Sequence, residues 1–273
     1  LPFSSKLLFT SMFTQVNNNI FSVLLGRFYT IPQVGFYTQG SKWTTMGYST
    51  ILGMINNVGQ PVFREASEDR QRLQNIFHKL LRFTAFVCFP AMLGLAIVAQ
   101  ELIVLSITDK WLPCVPIMQI LCVWGAFMPI STLYSNLMNS LGRPNIYMWN
   151  TIGLGVFQLI CLWFSYSHGL QIMLIIYTTA NILWLLVWQH FAHKYAGILL
   201  FDVLKDIAPY LVLSVVAVGT AYIVASRIEN IFLSLMLKIV LAAAIYLFCM
   251  WRLKSQVFRE SLQYLVKKKK MQQ

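Results

Sequence analysis

"IFLSLMLKIVLAAAIYLFCMW", residues 231–251, carries a single charge, Lys238, along its whole length. Crossing a hydrocarbon core of about 30 Å takes about 20 helical residues, and only a helix satisfies its own backbone polar groups without water. The segment therefore reads as a membrane-crossing helix. Seven further runs of similar length precede it: Leu7–Gly26, Trp43–Phe63, Phe83–Ile107, Pro113–Leu141, Ile146–Ser167, Leu170–Phe191 and Pro209–Ser226. The expectation is an all-α polytopic membrane protein of about eight transmembrane helices. Composition agrees, with 58% hydrophobic residues, 11% charged and a mean hydropathy of +0.63, against about 25% charged residues in soluble domains.

Charge placement orients the spans. Lys6, Arg64, Arg70, Arg72, Lys79, Arg82, Arg143, Lys194, Lys205, Arg252, Lys254, Arg259 and Lys267 to Lys270 all fall on one side. The other side receives Arg27, Lys42, Lys110 and Arg227. Positive loops stay cytoplasmic, so both ends of the segment are expected there. The net charge of +12 sits beside apolar spans, which favours anionic membrane lipids as partners over nucleic acid. The segment from Arg64 to Arg82 places Leu73, Phe77, Leu80 and Leu81 at helical spacing between charges and reads as an amphipathic helix at the cytoplasmic interface. Phe201, Leu204 and Ile207 suggest a weaker one. The expected organisation is a six-helix bundle over residues 1–205, a terminal helix pair over 206–251 and a basic cytoplasmic tail over 252–273. The opening at Leu1, without a signal-peptide pattern, reads as a segment with something N-terminal to it.

Polar side chains inside spans are costly unless they meet a partner or a wet cavity, so their periodicity points to the faces that line something. Ser11, Gln15, Asn18 and Ser22 share a face of the first span; Thr45, Ser49, Gly53, Asn56, Gln60 and Arg64 share one of the second. Such stripes either pack helices through small residues and amides or wall a hydrated pathway able to bind sugar hydroxyls. The candidate pathway residues are Gln15, Asn18, Ser22, Arg27, Ser49, Asn56, Gln60, Arg64 and Lys238. Thr132, Ser135, Asn139 and Gly142 form a shorter stripe, and Tyr177, Asn181, Trp184 and Trp188 an aromatic one, both read as packing. Lys238 either snorkels to the outer interface or acts as an anion contact or proton-linked group.

Catalysis finds little support. The five cysteines form no CxxC pair, His190 and His193 lack a third ligand, and no phosphate-cradling glycine loop is present. Neither a cofactor nor a metal is expected, and the chain does not read as an enzyme.

"GRFYTIPQVGFYTQGSKW", residues 26–43, with Gly26, Arg27, Gly35 and Tyr37, resembles the segment after the central helix of polysaccharide transporter family flippases. Gln60 and Pro61, Pro90 and Gly94, the "TDKWLP" turn with Trp111, and "LGRPN" at Leu141–Asn145 follow in the family's order. The resemblance implies the C-terminal lobe of a two-lobed flippase in the multidrug/oligosaccharidyl-lipid/polysaccharide exporter superfamily. It further implies alternating-access transport of polyprenyl-pyrophosphate-linked oligosaccharide repeat units across the inner membrane, for O-antigen or capsule, alongside a polysaccharide polymerase and export machinery. A multidrug or metabolite antiporter of the same superfamily is the nearest alternative; a membrane glycan polymerase or ligase is another, disfavoured by short outer loops without paired acidic or histidine residues.

Overall fold

The computed structural model describes Met12 and residues 25–253. Eight long or short α-helices follow the turn at residues 29–30: α1 Ile31–Glu65, α2 Arg70–Ile97, α3 Ala99–Ser106, α4 Cys114–Ser140, α5 Pro144–Ser165, α6 Leu170–Ala196, α7 Leu200–Ala225 and α8 Ile231–Arg252. Their ends follow local chemistry. The Thr30 amide and hydroxyl both reach Gln33 Oε1 at the start of α1, Asp69 accepts from the Arg72 amide at the start of α2, and Asn230 accepts from Phe232 and Leu233 at the start of α8. Gly142 and Gly197, at φ 69° and 72°, end α4 and α6 in the left-handed region. Pro144 then opens α5, where no amide donor is needed.

Six described helices, α2 and α4 to α8, are long and apolar enough to cross a membrane. The span expected at Trp43–Phe63 lies within α1, a 35-residue helix whose polar stripe makes it less apolar than those six. The first expected span, Leu7–Gly26, falls almost wholly outside the described residues.

α4 is the centre. Met118, Cys122, Ala126, Ile130, Leu133 and Leu137 recur every three or four residues and are all buried. α1 and α2 pack along this face, α6 packs beside it, and α5 leans on α6. Close approach is possible because Gly125 has no side chain: a Cβ there would meet Met92, Thr44 and Tyr48, from α2 and α1. At one end Phe63 stacks on Phe77, Tyr134 packs tilted against Phe77, and the Tyr134 hydroxyl donates to Gln189 on α6 at 2.7 Å, tying four helices into one cluster. α7 and α8 pack on each other and against α2.

Three local readings change. The amphipathic segment from Arg64 to Arg82 is not a separate interfacial helix: Asp69 caps a new start, and Leu73, Phe77 and Leu81 are buried in the core as the first turns of the 28-residue α2. The weaker amphipathic stretch at Phe201–Ile207 is the beginning of α7, which runs through Pro209 without ending. The expected boundary between residues 205 and 206 thus falls inside a helix. Conversely, the single span expected at Phe83–Ile107 is broken at Val98, where α2 stops and the short α3 begins.

Candidate functional site: an amide-lined cavity between α1 and α4

The C-terminal ends of α1 and α4 diverge around a cavity of about 880 Å³ lined by Asn56, Asn57, Gln60, Pro61, Arg64, Asn139, Ser140 and Gly142. Every side chain on its wall except Pro61 and Gly142 is polar. Asn56, Gln60 and Arg64 reach it because four-residue spacing keeps them on one face of α1, and all three are exposed. Gly59, between Asn56 and Gln60 along the helix, lies against Asn136 of α4.

Asn136 organises the wall from behind. It is buried, at 3% exposure, and its Nδ2 donates to Asn56 Oδ1 at 3.2 Å and to the Ile55 carbonyl at 3.5 Å. Its Oδ1 accepts from Gln60 Nε2 at 3.3 Å. One α-helical turn on, the Ser140 hydroxyl bonds the Asn136 and Gln60 carbonyls. Asn139 Oδ1 is buried without a hydrogen-bond partner. Pro61, inside α1, has no N–H to return to the Asn57 carbonyl. The arrangement offers neutral donors and acceptors with one guanidinium, chemistry suited to hydroxyls and an anionic group.

Of the candidate pathway residues, the structure brings together Asn56, Gln60 and Arg64. Ser49 is exposed further back along α1, its hydroxyl turned onto the Met46 carbonyl. Arg27 is exposed before the opposite end of α1. Gln15, Asn18 and Ser22 lie outside the described residues. Lys238 is elsewhere and does not snorkel: its ammonium donates to Glu101 Oε1 and to the Ile97 carbonyl, and Ser234 donates to the same Glu101 oxygen at 3.0 Å. The break at Val98 explains this placement. It leaves the Ile97 carbonyl without an intrahelical donor and puts Glu101 in the first turn of α3, so cation and carboxylate meet opposite helix poles that favour them.

Asn136 was missed by sequence reasoning, which grouped Thr132 with Ser135 and Asn139. The four-residue series Thr132, Asn136, Ser140 was the available signal. The aromatic stripe on α6 does pack: Trp184 donates to Asn150 and Gln158 to Asn181, both across the α5–α6 contact.

Fold and cavity together define a multi-pass α-helical membrane protein with a polar recess opening between two helices. Residues 1–116 match the family model described as "Polysaccharide biosynthesis protein". Over 146 residues the chain is 30% identical to an "Uncharacterized membrane protein in cps region" of Klebsiella pneumoniae and 27% identical to "Lipopolysaccharide biosynthesis protein WzxC" of Escherichia coli (strain K12), in each case 54% of this chain and 30% of the relative. "Teichuronic acid biosynthesis protein TuaB" of Bacillus subtilis (strain 168) is 23% identical over 150 residues, 55% of this chain and 31% of that protein. The fold superposes on "Lipid II flippase MurJ, inward closed conformation" with a TM-score of 0.69 at 17% identity, covering 90% of this chain and 53% of that one. The chain is thus similar over residues 1–116 to a polysaccharide biosynthesis family and, over most of its length, similar in fold to a membrane flippase. The matched stretch spans about three tenths of the curated relatives' length.

Proposed function

We propose that this chain forms one lobe of a flippase that carries polyprenyl-pyrophosphate-linked oligosaccharide repeat units across the cytoplasmic membrane by alternating access. The observation that carries the reading is the amide-lined cavity between α1 and α4, with Arg64 at its edge. A sugar headgroup exchanges its water for Asn and Gln side chains there, while its lipid tail stays in hydrocarbon beside the apolar pair α7 and α8. Uncharged groups hold such a cargo without trapping it, since neutral hydrogen bonds contribute only about 0.5–1.5 kcal/mol each after exchange with water. The loop charges support a topology with both ends cytoplasmic and the cavity opening on that side. Working with a polysaccharide polymerase is part of the same reading, drawn from the surface-glycan roles in the relatives' names.

The test is to replace Gln15, Asn18, Asn56 and Gln60 together with Leu in the full-length protein. Membrane insertion should stay intact while surface glycan export is lost. Unchanged export from that variant would mean the stripes only pack.

A further inference from the structure

We infer that Asn136, which does not itself line the cavity, is a positioning residue that fixes the hydrogen-bonding polarity of the wall, so that α1 presents a donor at Asn56, an acceptor at Gln60 and a cation at Arg64, in that order.

The inference rests on the flippase reading and follows from what each group can do. A backbone carbonyl only accepts, so the Ile55 carbonyl forces the Nδ2 end of Asn136 toward α1. Facing that amide, Asn56 must turn its Oδ1 inward, and its own Nδ2 is left toward the cavity. Oδ1 of Asn136 can only accept, so Gln60 must turn its Nε2 inward and keep its Oε1 free. A single carbonyl thereby determines the facing of three amides that could otherwise flip. Burial of Asn136 at 3% exposure makes reversal costly, because a flipped amide would set two donors, or two acceptors, against each other away from water.

Residues four apart on a helix stand about 6 Å from one another. The wall therefore reads donor, acceptor, cation over roughly 12 Å, about the length of a sugar ring followed by a phosphate. A ligand matching it carries an accepting hydroxyl, then a donating hydroxyl, then an anionic group at the Arg64 end. The glycosyl-phosphate end of the cargo, rather than its distal sugars, fits this order.

The experiment is a double-mutant cycle in the full-length protein, expressed in cells lacking their own copy, reading surface glycan export per molecule in the membrane. Asn56→Ala removes the donor outright. Asn136→Asp, whose carboxylate only accepts, turns the Asn56 amide inward and removes the same donor without touching the cavity. Each is expected to lower export about tenfold, and the pair together no further than either alone. Should Asn136→Asp fail to accumulate, Asn136→Ala replaces it: the amides then rotate freely, export falls severalfold, and Asn56→Ala costs less in that background than in the parent. If Asn56→Ala lowers export but the Asn136 variants do not, or if the losses multiply, the positioning role is overturned while the flippase reading stands. If Asn56→Ala exports normally, the Asn56 donor is not used and the positioning role falls, while the flippase reading stands; if the parent itself restores no export, the flippase reading falls.

Discussion

Lys238 of α8 and Glu101 of α3, 137 positions apart in the chain, form a buried ion pair within the apolar interior, with side chains only 6% and 10% exposed. Charges here are tolerated because each sits against a helix end of opposite polarity and Ser234 shares the carboxylate. Removing one partner strands the other. Lys238→Met is expected to destabilise the protein by about 3–5 kcal/mol, and Lys238→Met combined with Glu101→Gln to recover most of the loss. Thermal unfolding in detergent micelles measures both; a double variant as weak as the single would show that the pair is not what holds α8.

A second interhelical tie lies outside this region, where His78 of α2 meets Asp206 of α7 at 2.6 Å, with Arg82 at 3.7 Å from the other carboxylate oxygen. Asp206→Asn weakens both contacts at once. The expected cost is about 1–2 kcal/mol, seen as faster proteolysis near the start of α7, and smaller if His78→Ala is already present, when only the Arg82 contact is left to lose.

Gly197 ends α6 at φ 72°, and a Cβ there would collide with the Arg70 guanidinium, which with Gln74 caps the Ala196 carbonyl. Gly197→Ala should cost about 1–3 kcal/mol. Adding Arg70→Ala relieves the collision but not the backbone strain, so thermal stability should return only in part.

Topology is checked by reporter fusions at Lys42, Gln74, Ser140 and the C terminus of the full-length protein. The charge bias predicts an external reporter at Lys42 and internal ones at the other three. A periplasmic C terminus would reverse the orientation of the cavity.

Helix type and most span limits were legible in the sequence because lipid imposes length: the expected Pro113–Leu141 and Ile231–Trp251 differ from α4 and α8 by at most one residue at either end. Pro209 misled, since a proline can sit inside a helix when neighbours replace the lost bond. The break at Val98 was hidden because no single residue encodes it; Lys238 and Gln119, distant in sequence, supply the donors for the carbonyls it frees. Within the cavity, Asn56, Gln60 and Arg64 were readable from spacing on one helix. Asn136 depends on how α4 is rotated against α1, which packing decides and periodicity on α4 alone leaves between two adjacent faces.

Pro61 has a consequence for what can enter. The Asn57 carbonyl four residues earlier lacks its customary rung of the helical ladder, and in oil such a group would cost several kcal/mol. An acyl or isoprenoid chain filling the recess would impose that penalty, whereas solvent or a hydroxylated guest relieves it. A ring without an N–H thus biases the chamber toward water and hydroxylated guests over hydrocarbon.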